Sequence, residues 1–152
     1  MPHVELSLSE TFVPQSRHPL AQDQAEGIER WGTTVATAPE PCLVIDAEMR
    51  ISAASVSCCE LLGLGTPAEA VGRPLLGGVL RLVDFTAARS ELTENEIDKI
   101  PPLLALTSGR LARGLLRVEW GAGEGDATVD AIATPLWAGG IVTGSLTFFS
   151  EV

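Results

Sequence analysis

The hydrophobic period of the C-terminal stretch restricts this chain more than any other feature. Leu111 to Trp120, Thr128 to Trp137 and Ile141 to Phe149 alternate with a period of two, the spacing at which successive side chains leave opposite faces of a strand. Gly121-Ala-Gly-Glu-Gly-Asp126 and Ala138-Gly-Gly140 join these runs, and glycine supplies the positive φ that tight turns need. Three consecutive strands joined this way read as an antiparallel meander. Such a sheet is stable only when something covers one of its faces.

The rest of the chain supplies the cover. Its 152 residues, 45% of them hydrophobic, suffice for one domain with its own core and no disulfide or metal staple. Residues 1–20 alternate weakly at Val4, Leu6 and Leu8 and break at Pro14 and Pro19, a tail or short edge strand. Ala25, Ile28, Trp31, Val35 and Ala38 then recur every three or four residues, with Asp23 and Glu26 placed as cap and third helical residue. That spacing predicts an amphipathic helix over 21–38, ended by Pro39 and Pro41.

Leu43–Ile45 and Met49–Ala54, separated by Asp46-Ala-Glu48, read as a hairpin. Ser55 or Ser57 caps a short helix to Leu62, with Gly63 as its left-handed stop. Thr66-Pro67-Ala68-Glu69 opens another, running to about Val71. Leu75–Phe85 is expected to be helical. Thr93 and Glu96 form a capping box, and Leu103, Leu104 and Leu106 carry a helical turn to Gly109. The order of helix, two strands, short helices and three strands argues an α+β domain. Its antiparallel sheet would have five strands, with short helices on one face and an N-terminal amphipathic helix.

Charge and composition remove several functions. Ten basic against twenty acidic residues give a net charge of −10, and the only lysine is Lys99. Such a chain repels a phosphate backbone and an anionic bilayer, so neither nucleic acid nor membrane is expected as a partner. Cys42, Cys58 and Cys59 make no CxxC pair, and His3 and His18 both lie in the tail, so no metal-ligand spacing exists. An odd cysteine count suits a reducing compartment. No leader-like N-terminus and no uncharged apolar window of about 18 residues is present, and a cytoplasmic protein is expected.

The motifs Val44-Ile-Asp46, Arg50-Ile51-Ser-Ala-Ala-Ser55, Glu60-Leu-Leu-Gly63 and Val71-Gly-Arg-Pro-Leu75 occur in that order. Thr107-Ser-Gly109-Arg110, the glycine-rich turn at Gly121–Gly125, Ala133-Thr-Pro-Leu136 and Gly144-Ser-Leu-Thr-Phe148 follow them. As an ordered set over residues 40–152 this pattern resembles the PAS domain family. Two departures stand out: Ser55 occupies a place where the family often carries asparagine, and Thr86–Ile100 is longer than usual, a lid or contact loop. The resemblance implies a concave sheet closed by short helices over a small cavity, used for sensing or dimerisation. It implies no reaction, since function resides in sites rather than folds.

Each chemistry hosted by that family meets a specific test. Haem usually hangs there from a histidine preceding the third strand, and both histidines here lie outside the matched region. Cys58 or Cys59 would be the substitute thiolate, although adjacent helical residues point about 100° apart and at most one of them faces a cavity. Light-sensing flavin adducts need an Asn-Cys-Arg motif, and Pro74–Leu106 contains no cysteine; a tyrosine-dependent chromophore is excluded because the chain has no tyrosine. Non-covalent flavin would stack on Trp120 or Trp137.

No phosphate-binding loop, nucleophile elbow or histidine base exists in the matched region, so no catalytic residue is assigned. Asp46 and Asp130 read as isolated, water-facing acids. Strand alternation points Val44, Leu116, Val118, Leu146 and Phe148 inward, with Leu80, Val83 and Leu104 as helical cover. These form either a packed core or a cavity for a small apolar ligand.

The stripe of Ile28, Trp31 and Val35 must bury itself, on its own sheet or against a second copy. Only Glu151-Val152 follows the last strand, so the expected function is that of a stand-alone sensory or regulatory module in signal transduction. It would act by homodimerisation and by contact with a separate effector protein, with a small apolar ligand as modulator. The acidic stretch Glu91–Asp98 is then a contact for a basic partner surface, weakened by salt. The alternative is a redox sensor carrying flavin or cysteine-ligated haem.

Overall fold

A computed structural model describes residues 20–78, 80–120 and 124–152; the expected N-terminal tail or edge strand and residues 121–123 of the glycine turn lie outside them. Helix α1 spans Leu20–Thr37, and the prolines at 39 and 41 prevent its continuation. Strands β1 (Cys42–Asp46) and β2 (Ile51–Ala54) form the expected hairpin. Its turn, which has no glycine, puts Met49 at φ 65°. The Asp46 carboxylate accepts the N–H of Glu48 at 2.8 Å and of Arg50 at 3.0 Å, so a side chain sets the turn in glycine's place.

Capping residues fix the short helices. Ser55 opens α2 (Val56–Leu62), and Gly63 ends it at φ 70°. The buried Ser55 hydroxyl accepts from the N–H of Cys58 and of Cys42 and donates to the carbonyl of Glu40, tying α2 to the start of β1. Thr66 caps α3 (Pro67–Ala70), and the Thr93–Glu96 box caps α4 (Glu94–Ile97). Helix α5 (Pro101–Ser108) starts on its prolines and ends at Gly109, φ 69°. Prolines are tolerated there because the N–H groups of the first helical turn have no partner within the helix.

Strands β3 (Leu82–Val83), β4 (Ala112–Trp120), β5 (Gly125–Ala138) and β6 (Ile141–Glu151) complete one antiparallel sheet of order β2-β1-β6-β5-β4-β3. Among the described residues it has six strands where five were expected. Leu82 and Val83 pair with Val118 and Arg117, within the stretch predicted as helical. Pro74, Gly77 at φ 86° and Gly78 make a helix there expensive, and the free edge of β4 offers backbone partners instead.

Both faces of the sheet are covered, but unequally. Leu43, Ile45, Leu116, Val118, Val129, Ala131 and Phe149 face inward against Cys58, Cys59, Leu62 and Leu103 of the short helices. On the outer face Val35 of α1 packs on Cys42, Val44, Ala53, Leu136 and Leu146. This corrects four placements. Val44 and Leu146 lie outward beneath α1; Phe148 is outward and 43% exposed; Leu104 is 37% exposed, and Leu103 takes the inward position. The cause is visible in β1 and β6. Cys42–Ile45 and Thr143–Thr147 are buried throughout, so alternation is erased where both faces are covered. Only the register, Leu43 opposite Thr147 and Val44 opposite Leu146, sets their direction.

Candidate functional site

The inner layer is closed by small residues. Helix α5 lies over β4, β5 and β6, with Ala105, Ala112 and Ala133 in mutual contact. A Cβ at Gly114 would meet Pro101 at 3.5 Å. Alanine and glycine let helix and sheet approach closely. Ser145, fully buried, donates to the carbonyl of Pro102 at 2.9 Å. Thr147, also fully buried, has a hydroxyl with no hydrogen-bond partner among the described residues. A void bounded by Ile51, Leu64, Leu75 and Leu80 holds about 10 Å³, room for about one water.

Larger spaces lie at the rim. One cleft of about 270 Å³ is bounded by Leu76, Leu80, Leu82, Leu92 and Ile97, with Arg81 and Glu91 at its mouth. A second, of about 290 Å³, runs along the edge of β4 between Val83, Phe85, Leu92, Lys99, Ile100, Pro101 and Gly114–Arg117. Of the residues expected to line an interior cavity, Leu80, Leu116 and Val118 lie in the inner cluster, and Val83 lies on the second cleft.

The cofactor candidates do not converge. Both Cys58 and Cys59 are buried in the inner cluster. Burial pushes up the thiol pKa of each, most strongly that of Cys58, with neighbouring thiols adding to the effect there and nearby carboxylates at Cys59. A haem-iron ligand must be a thiolate, a form that burial works against at both positions in the chain without the group. Trp120 donates its indole N–H to the carbonyl of Leu61 at 3.3 Å and packs on Gly63 and Gly125. Trp137, 55% exposed, covers Gly109 and Val142. Each ring is committed to a separate turn, and the two build no shared stacking site.

Ion pairs organise the β4 side. Asp130, expected to stand alone, forms a two-pronged pair with Arg113 at 2.6 and 3.2 Å. The Arg113 hydrogen bonds hold its carboxyl below the usual range. Arg117 pairs with Asp126 at 3.1 Å and donates to the carbonyls of Asp84 and Thr86. Arg89 reaches the same Asp126 at 3.2 Å. The Asp84 carboxylate accepts from Thr86 and Ser90, its pKa lowered chiefly by the Thr86 hydroxyl. These bonds pin the start of the long 86–100 segment to the sheet.

Of the proposed interface stripe, Val35 is buried on its own sheet, Ile28 is half-buried and Trp31 is 40% exposed. Val35 is thereby removed from any interface. Beyond α1, Ile132 and Phe148 face each other across β5 and β6, 37% and 43% exposed. Leu115, 54% exposed, lies diagonally next to Ile132 on β4. Sequence reasoning missed this patch because it had assigned Phe148 to the core. The buried hydroxyls of Ser145 and Thr147 were detectable as polar residues inside an apolar strand.

No protein-family model and no curated protein matches the chain. Solved structures do. A PAS domain from Colwellia psychrerythraea superposes with a TM-score of 0.57 at 13% identity, over 82% of this chain and 96% of that one. The PAS domain of an HTR-like protein from Haloarcula marismortui gives 0.51 at 16%, over 87% and 97%. A VqmA dimer from Vibrio cholerae gives 0.58 at 17%, over 82% of this chain and 51% of that one, so this chain spans about half the length of VqmA. At these identities the likeness concerns architecture, and it agrees with the sheet order, the short capping helices and the ordered motifs: the chain has the PAS fold.

Proposed function

We propose that the chain is a sensory or regulatory module that acts in signal transduction by forming a homodimer and contacting a separate effector protein. The observation that carries this reading is the pair Ile132 and Phe148, directly opposite each other on the outer face and left uncovered by α1. An exposed, contiguous apolar pair on a sheet whose other half is covered marks a contact surface. Leu115 on β4 extends it diagonally from Ile132, and α1 exposes Trp31, a residue type that anchors interfaces. The VqmA structure, described as a dimer, supports the same use of the fold. The rim clefts leave room for a small apolar ligand as modulator.

Sedimentation velocity over a concentration series tests the reading. The wild-type chain is expected to dimerise, and Ile132→Glu with Phe148→Glu to weaken the dimer by at least about tenfold. A wild-type chain that stays monomeric at about 0.1 mM, or a double variant that dimerises unchanged, overturns it.

A further inference from the structure

Strand β4 is only partly paired on its outer edge. β3 covers it at Arg117 and Val118, where Val83 and Leu82 lie opposite, and Glu119 donates its N–H to the carbonyl of Arg81 on that side. Backbone groups alternate sides along a strand, so Arg117, Leu115 and Arg113 present their N–H and C=O in the same direction as Glu119. Beyond Val83 no described strand meets those of Leu115 and Arg113. The space beside them is the 290 Å³ cleft, floored by Val83, Ile100, Pro101 and Leu116 and flanked by exposed Phe85 and Leu115. An apolar trough beside a row of unpaired backbone groups has the form of a site for an added strand.

Charge selects the occupant. The arginines of β4 are neutralised on their own face, Arg113 by Asp130 and Arg117 by Asp126, and Arg81 is shared by Glu91 and Glu119. With Arg117 held by Asp126, the cleft lining presents Asp84 and Glu96 against Lys99, and exposed Glu94 and Asp98 stand beside Glu96 along the chain, in a chain of net charge −10. A second copy is disfavoured at this edge because a symmetric β4 pairing about Leu115 would set the acidic residues of α4 near those of the other copy. A segment with apolar residues facing the trough and lysine or arginine between them meets both conditions.

We propose that the β4 edge takes an extended, basic and apolar segment of the effector protein as an additional strand, pairing with the backbone of Leu115 and Arg113. The inference rests on the reading of the chain as a module that signals by protein contact, and it supplies the chemistry of that partner. The probe is the peptide acetyl-Thr-Val-Lys-Val-Lys-Val-Thr-amide, compared with the same peptide carrying glutamate for lysine, by amide hydrogen exchange on the full chain. The lysine peptide is expected to slow exchange at Leu115 and Arg113 by about tenfold or more and to weaken at about 0.5 M salt. The glutamate peptide should bind about tenfold more weakly.

Leu115→Pro removes the edge-facing N–H without taking a bond from the β4–β5 ladder, and should abolish the protection. Glu94→Lys with Asp98→Lys, on exposed positions, should invert the preference between the two peptides. Protection absent at about 1 mM lysine peptide, or retained in Leu115→Pro, overturns the proposal. Protection of the same amides that rises with protein concentration and without peptide assigns the edge to a second copy and overturns it also. The Ile132 and Phe148 variant leaves this edge intact, so failure of the dimer and failure of the strand site are read separately.

Discussion

Gly144→Ala tests the packing of β1 against β6. Gly144 is buried on β6 opposite Asp46 of β1 and Leu136 of β5. A Cβ built there collides with the carbonyl oxygen of Ile45 and meets the Ile45 carbonyl carbon at 3.4 Å and the Asp46 Cα at 3.5 Å. All three are backbone atoms of a strand paired on both sides, so no side-chain rotation relieves the contact. Overpacking of this kind costs about 1–3 kcal/mol, and displacing β1 forfeits about one ladder hydrogen bond, roughly 1 kcal/mol. Against this, alanine lowers the unfolded chain's entropy by about 0.4–1 kcal/mol. The net is a loss of about 2–3 kcal/mol, or a fall in Tm of roughly 5–10 °C for a chain of this size.

Urea unfolding followed by tryptophan fluorescence reads the change directly. Gly32→Ala is the control, because its added Cβ meets only the Ala53 Cβ, at 3.8 Å, from within α1. Removing a helical glycine should raise stability by about 0.5–1 kcal/mol. A Gly144→Ala midpoint within about 0.5 kcal/mol of wild type would refute the close approach of β1 and β6. So would equal losses in both variants.

Thr147→Val replaces an unpartnered buried hydroxyl with a methyl group of nearly the same shape, and should leave stability unchanged or raise it by about 1 kcal/mol; a clear loss in the urea midpoint would refute its isolation. The folded pKa of Asp130 lies below its unfolded value, through the Arg113 hydrogen bonds first and the Arg113 charge as a further lowering influence. The pair therefore stabilises the fold fully above about pH 4 and ceases to do so as pH falls through the folded pKa. In an NMR titration Arg113→Gln should return the Asp130 midpoint to the ordinary carboxylate range, and an unmoved midpoint would refute the pairing.

What the sequence revealed was local. Ser55, Thr66 and Thr93 as caps and Gly63 and Gly109 as helix ends depend on neighbours within four residues, and each is where its residue type demands. The two-residue β3 was hidden because it exists only through the edge of β4, across more than thirty residues of chain. The Arg113–Asp130 pair was hidden for the same reason, since it follows from the β4–β5 register. Val44, Leu146 and Phe148 show a different limit. On strands with cover on both sides, the apolar residues do not say which face they occupy, and a parity chosen wrongly for one strand passes to its neighbour.

The same two-sided cover explains why an apolar patch is left exposed. Helix α1 returns through Pro39–Pro41 directly into β1, so it lies back over the strands nearest β1, with Val35 seated on Cys42, Val44 and Ala53. With side chains a helix is about 10 Å across, while strands lie about 4.8 Å apart. A helix of that width spans about two strands, and α1 touches four of the six, at Ala53, Val44, Leu146 and Leu136. The outer surface of β4 and the far parts of β5 and β6 remain. Arg113, Asp130, Arg117 and Asp126 solvate much of that area with ion pairs. Ile132, Phe148 and Leu115 stand among them without polar function, on the side of the sheet whose edge β3 closes over only two residues. Strand count, helix width and the direction of the chain after α1 together leave an apolar patch and an open edge on the same half of the molecule.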